Sequence, residues 1–248
     1  MGWFVRLIPL ALMAVLSIPL VHAQVTYTYT GNNFTDILGT LWTTSNRITA
    51  TLTTPGLLPA GYSNSTTTCP AGTTFTLTAG TVTISTTDPN VTVYGCYFAT
   101  DGSGNITTWY LSPSNNDFDI LTETALPGAN AATDEAQNAH HTSDADIFDH
   151  PGTWTPPTAA NITTALLGKF TGGIFQLNKS LGTSLTDQLN TVFTDLNNNY
   201  TGQACTDLQI FANHVKAQKG KAINSTDAAT IMQWVGWIAA AIPGCQVN

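Results

Sequence analysis

The apolar pattern of this chain changes period once, around Pro151 to Pro157, and that change confines the fold to a β module followed by a helical one. Before it, Val25, Tyr27 and Tyr29 alternate with threonines. So do Ile48, Ala50 and Leu52, then Phe75 and Leu77, Val82 and Ile84, Val91 and Val93, and Ile106, Thr108 and Tyr110. Alternation over short runs describes strands with one buried and one wet face. Turn signals separate the runs at Gly31-Asn32-Asn33, Pro55-Gly56, Asp88-Pro89-Asn90 and Asp101 to Asn105. About seven such strands predict an antiparallel β-sandwich. The run 114–158 reads as the least regular part of this half, although Asp117 and Asp119 alternate with Phe118 and Ile120.

After Pro157 the apolar residues recur at three- and four-residue steps, the period that places them on one face of a helix. Leu166, Leu167, Phe170, Ile174 and Phe175 make a short first helix, and Leu181, Leu185, Leu189, Val192, Phe193 and Leu196 a second. From Cys205, the stripe Leu208, Phe211, Ala212 and Val215 ends at Gly220, where a left-handed cap is expected. Asn224 to Asp227 supply acceptors and an acid for a new helix start, Ile231, Trp234, Val235 and Ile238 its stripe, and Pro243-Gly244 its end. Trp234 and Trp237 cannot both face the core, so one of them is expected at an interface between the halves. The fold class is therefore α+β: a sandwich over 24–157 and a small four-helix module over 158–248.

If the last two helices run antiparallel, Cys205 and Cys245 meet at their open end. Cys69 and Cys96 then pair locally in the first half, although four cysteines formally allow two other connectivities. Zinc is a poor rival, because the chain has no C-x-x-C and no His at ligand spacing from any cysteine. Disulfides demand an oxidising compartment. Residues 1–23 fit that demand as a signal peptide: Arg6, an apolar run from Leu7 to Val21, and Val21-His22-Ala23 before the cut. The run is too short to span a membrane, so the mature chain is expected to be secreted, outside the cell or in the periplasm, with no membrane span.

Charge separates the halves in the same place. Residues 24–158 hold eleven acids and one base, Arg47, while residues 159–248 hold four acids and five lysines. Neither half clusters Lys and Arg as a phosphate backbone requires, which excludes nucleic acid as the expected partner.

The run from Ala204 to Cys245 resembles the FIMAH module of secreted bacterial proteins, through its Ala-Cys start, the stretch Phe211 to Gln218, Gly220-Lys221 and the Ala-rich helix that follows. The first half resembles a β-rich domain of bacterial PEP-CTERM (exosortase-sorted) proteins, through Tyr27 to Asn32 with Phe34, Asp101 to Trp109, and Pro151 to Trp154. These resemblances imply a fold and a secretory context. They imply no reaction. The C-terminus Ile242 to Asn248 lacks the Pro-Glu-Pro signal and apolar tail of that sorting route.

The chemistry-bearing residues gather in 114–158: Asp117, Asp119, Glu123, Asp134, Glu135, Asp144, Asp146 and Asp149, with His140, His141 and His150. Carboxylates with imidazoles suit Ca²⁺ or another divalent cation, so Asp144, Asp146, Asp149, His140, His141 and His150 form the candidate binding set, though a solvated acidic loop needs no ligand. Asp144-x-Asp146 lacks the glycine and distal Glu of a calcium loop. Asp117, Asp119 and Glu123 are the nearest approach to a glycosidase pair, but acids at period two are ordinary for the wet face of a strand. Gly102-Ser103-Gly104 falls in a hairpin turn rather than a nucleophile elbow, so no catalytic residue is assigned. Trp42, Trp109 and Trp154 are candidates for stacking on a glycan or a partner, with core packing favoured for Trp109. The expected function is non-catalytic binding at a cell surface or matrix, with a glycan or protein partner, no required cofactor and an oligomeric state the sequence leaves open. The alternatives are a carbohydrate-active hydrolase using carboxylates of the β domain and a purely structural envelope protein.

Overall fold

A computed structural model describes residues 24–64, 68–124 and 132–248; the expected signal peptide lies outside the described residues. Among the described residues, eleven strands precede four helices. Five strands form the first sheet: β1 (Val25–Asn33), β3 (Arg47–Thr54), β4 (Thr74–Ala79), β5 (Val82–Ser85) and β11 (Thr153–Thr155), in the order β11-β1-β3-β4-β5. Six form the second: β2 (Asp36–Leu38), β6 (Thr92–Thr100), β7 (Ile106–Ser114), β8 (Phe118–Glu123), β9 (Thr133–Asn138) and β10 (Asp144–Phe148), in the order β2-β10-β9-β8-β7-β6. All pairings are antiparallel. The sheets face each other, β3 against β9, β4 against β8 and β5 against β7.

The threonine alternation works as its period demands. Tyr27, Tyr29, Ile48, Leu52, Phe75, Leu77 and Ile84 turn inward from the first sheet, and Phe98, Trp109, Leu111, Ile120, Ala136 and Ala145 meet them from the second. Two expectations change. The strands number eleven rather than about seven, and the supposedly irregular run 114–158 holds four of them. Trp42, Trp109 and Trp154 are all buried, so none offers a stacking platform to a ligand.

The helices are α1 (Ala159–Thr171), α2 (Lys179–Asn197), α3 (Thr201–Gln218) and α4 (Ser225–Ala240). Side chains of Thr158, Asn178 and Asn224 accept backbone N–H groups at the starts of α1, α2 and α4, replacing the missing intrahelical acceptors. Helix α3 begins one turn before Cys205. Gly220 takes φ 74° after it, the left-handed turn that reverses the chain into α4. α1 packs on α2 and α4, and α3 packs on the same two, closing a four-helix core around Leu166, Leu185, Leu208, Phe211 and Ile231.

Both local disulfides are formed. Cys69–Cys96 ties the loop before β4 to β6, with Cα atoms 5.0 Å apart, and Cys205–Cys245 joins α3 to the end of α4 with Cα atoms 5.6 Å apart. The halves meet where α1 touches β1 and where Trp237 lies on Gly56. A Cβ at Gly56 would stand 2.7 Å from the Trp237 ring, so only glycine admits the indole at this distance. Trp234 is core and Trp237 is the interface residue, linked edge-to-face at 4.9 Å. Among the described residues no helix is long and apolar enough to cross a membrane.

Replacing both Cys205 and Cys245 by serine is expected to destabilise the helical half by about 4 kcal/mol, the loop-closure entropy returned to the unfolded chain. Urea unfolding followed by far-ultraviolet circular dichroism, oxidised wild type against variant, checks this.

Candidate functional site

Strands β8, β9, β10 and β2 bring scattered acids onto one surface. In β10, Asp144 and Asp146 alternate with buried Ala145 and Ile147, so both carboxylates leave by the outer face of the six-stranded sheet. Register supplies their neighbours: Asp146 lies opposite Asp36 of β2 and Glu135 of β9, and Asp144 lies opposite Gln137. Asp119 stands opposite Gln137 on the far side, with Glu123 further along β8 on the same face. Six carboxylates, Asp36, Asp119, Glu123, Glu135, Asp144 and Asp146, thus share one face. Like charges directly across a ladder are destabilising, which makes the row Asp36, Asp146, Glu135 the costliest part of it.

Little in the surroundings relieves it. Gln137 Nε2 reaches Asp119 Oδ2 at 3.5 Å and Thr35 Oγ1 donates to Asp36 Oδ2 at 3.3 Å. Among the described residues, the buried Oδ1 atoms of Asp144 and Asp146 have no hydrogen-bond partner. Burial, then the charges of Asp36 and Asp144, pushes the Asp146 carboxyl above its ordinary range. Burial, then Asp146 and Asp144, does the same to Glu135, against a weaker opposing pull from His141. Glu123 is raised by burial and then by Glu135.

The six residues of the candidate cation set do not gather at one point. His140 and His141 occupy the exposed turn between β9 and β10, while Asp149 and His150 follow β10 at its other end. A five-residue strand separates the pairs, a span of roughly 17 Å. His141 and Asp149 take positive φ, 50° and 61°, as turn residues. Among the described residues, no three His, Cys, Asp or Glu side chains are placed to hold a metal ion. Asp117 lies in the turn before β8, where its N–H is accepted by Asn115 Oδ1. Asp101 is likewise a turn residue, its carboxylate accepting from Ser103 and Asn105.

Asp134 is the member of the acidic run that reasoning from sequence misplaces. It has 0% exposure and points between the sheets, opposite in direction to Glu135 beside it. Tyr29 Oη donates to its two oxygens at 2.8 and 2.9 Å, and Thr122 stands opposite it in the ladder. Tyr29 Oη in turn accepts Gly152 N–H at 2.7 Å, and Trp109 Nε1 donates to Thr122 Oγ1 at 2.9 Å. Tyr29 packs at 5.3 Å on both Trp109 and Trp154, so the network is walled by rings. Burial pushes the Asp134 carboxyl up to about 6, with the hydrogen bonds from Thr122 and Tyr29 opposing the rise. Burial also pushes the Tyr29 phenol far above its usual range. The available signal was parity: Asp134 shares the alternation phase of Ala132 and Ala136.

Compared with known proteins, the chain matches no family model, no curated protein and no solved structure.

Because folding raises the Asp134 value, the folded state binds its proton more tightly than the unfolded chain. Its contribution to stability is full below the unfolded value near 4 and is lost as pH rises through about 6. The stability of Asp134→Asn relative to wild type is therefore expected to improve by about 2 kcal/mol between about pH 4.5 and about pH 7.5. Urea titrations of both proteins at the two pH values measure it.

Proposed function

We propose that the chain is a secreted, non-catalytic binding protein that engages a cationic partner, a Lys/Arg-rich protein segment, through the acidic outer face of its six-stranded sheet. One observation carries this reading: six carboxylates on one face, with no cation paired to them among the described residues. Their mutual repulsion is energy that an arriving row of ammonium or guanidinium groups would release. Side chains of that kind make charge-assisted hydrogen bonds with the accessible oxygens of such carboxylates.

The compartment follows from chemistry that fits this use. Two disulfides suit an oxidising environment, and the apolar N-terminal run with its small-residue exit suits export. The similarities to the FIMAH module and to the β-rich domain of exosortase-sorted proteins support the same setting. A hydrolase reading draws on the same raised carboxylates, with Glu135 beside Asp146 as its most favourable pair. Against it, the crevices at the helical half and at the junction are lined by none of the six carboxylates.

A fluorescent lysine-rich peptide, followed by anisotropy, tests the reading. Binding is expected that weakens steeply with added salt, since exposed charge is screened over roughly 10 Å at 0.1 M. Asp36→Asn/Glu135→Gln/Asp146→Asn should weaken it by about tenfold or more, while Asp187→Asn on α2 leaves it unchanged. Absence of saturable binding at low salt overturns the proposal. A preference for Ca²⁺ over the peptide would move the face to the divalent-cation alternative, and release of reducing sugar from a polysaccharide would move it to the hydrolase.

A further inference from the structure

The junction between the two halves holds a crevice of about 340 Å³, and its chemistry is unlike that of the acidic face. Tyr27 and Leu58 line it from the sandwich, Ser103 and Asn105 from the β6–β7 turn, and Trp237 and Ala240 from α4. Pro156 and Pro157 close one side. No acidic, basic or histidine side chain is among the lining residues. In a protein whose first half carries eleven acids, this neutrality is a selection against charged ligands.

The polar groups at the wall are held in place and incompletely used. Tyr27 is 1% exposed, and its Oη accepts Leu58 N–H at 2.8 Å. Its own hydroxyl proton has no acceptor among the described residues, and burial pushes the phenol up to about 12, so that proton stays on. A buried donor without an acceptor carries a desolvation cost that a ligand oxygen would remove. Asn105 is fixed from behind: its N–H and Nδ2 donate to the two oxygens of Asp101 at 2.9 and 3.1 Å. That leaves Asn105 Oδ1 as an acceptor beside the Ser103 hydroxyl. Trp237, which lines the same crevice, is held by Gly56 at the end of its ring and by the edge-to-face contact with Trp234.

We propose that this crevice is a binding site for a neutral, hydroxylated ligand with one apolar face, of the size of one or two pyranose rings. Such a ligand lays its C–H face on an aromatic ring and turns its hydroxyls to side-chain donors and acceptors. Trp237 supplies the ring, Tyr27 the donor, Asn105 the acceptor and Ser103 either role. Volumes of this order, at a junction between two structural units and with few convergent polar groups, are where small ligands bind. The site is independent of the acidic face and stands or falls separately from it.

The test uses the full mature chain and neutral disaccharides (maltose, cellobiose, lactose, N,N′-diacetylchitobiose), with glucuronate as the charged control. Saturable quenching or shift of tryptophan emission is expected for one neutral class. Tyr27→Phe, which keeps the ring and deletes the donor, should weaken binding by about tenfold. Ala240→Phe, at an exposed rim position of α4, fills the crevice without touching the core and should abolish binding with an unchanged circular dichroism spectrum. No saturable response to any neutral sugar overturns the proposal. So does binding that survives both substitutions, or glucuronate bound as tightly as the neutral sugars.

Discussion

The hydrogen bond from Tyr29 to Asp134 is the interaction on which the arrangement of the sandwich rests. A carboxylate between two apolar sheets costs several kcal/mol unless a donor meets it, and the donor here crosses from the facing sheet: Tyr29 on β1 reaches Asp134 on β9. Their meeting fixes how the sheets face one another. It also fixes the register of β9, since a slip of one residue would bring Glu135 inside and send Asp134 to the solvent. The acidic outer face is thus a consequence of the buried acid, because the phase that buries Asp134 is the phase that exposes Glu135 and, through pairing, aligns it with Asp146 and Asp36. Backbone space is committed to the same end. A Cβ on Gly31 would stand 2.3 Å from Asp134 Oδ2, so that the carboxylate lies directly over the main chain of β1.

Much of this was legible in the sequence, and the illegible part has a common cause. Threonine alternation marks β1, β3 and β4 because one face is uniformly apolar, and helix starts at Asn224 and stops at Gly220 follow from capping chemistry. The cysteines pair locally because each pair closes a short path. Strands β9 and β10 were hidden because most of their inner positions are small or polar, Asp134, Ala136 and Ala145, and do not contrast with their outer positions. What looked like a solvated loop is sheet whose alternation is one of charge location rather than of hydrophobicity. The sites inherit this: the acids of β10 were recognised as chemically loaded, yet their partners Asp36 and Glu135 come together only through register. Tyr27, Asn105 and Trp237 are brought together only by the docking of the halves.

The two halves use different means to stay folded, and this sets where each can tolerate change. The sandwich concentrates its specificity in one polar network at its centre, so substitutions near Tyr29, Thr122 or Gly152 act on many elements together. The helical half distributes its stability over a stripe of Leu and Val, three side-chain caps and a disulfide at its open end. Lys169 extends the apolar packing rather than breaking it, holding its ammonium 5.1 Å over the Trp234 ring.

Strand β11 pairs with β1 across more than a hundred residues, and Gly152 crosses so close to β1 that a Cβ there would stand 2.0 Å from the Thr30 carbonyl oxygen. A chain synthesised from its N-terminus therefore presents the first strand long before the strand that covers its edge. Until Thr155 emerges, β1 offers an open row of peptide groups, and the Tyr29 hydroxyl lacks the Gly152 donor that it later accepts. Such high contact order makes closure slow relative to local helix formation. The last strand acts as a latch that shuts late, and the helices that follow it form from local contacts without waiting for that closure.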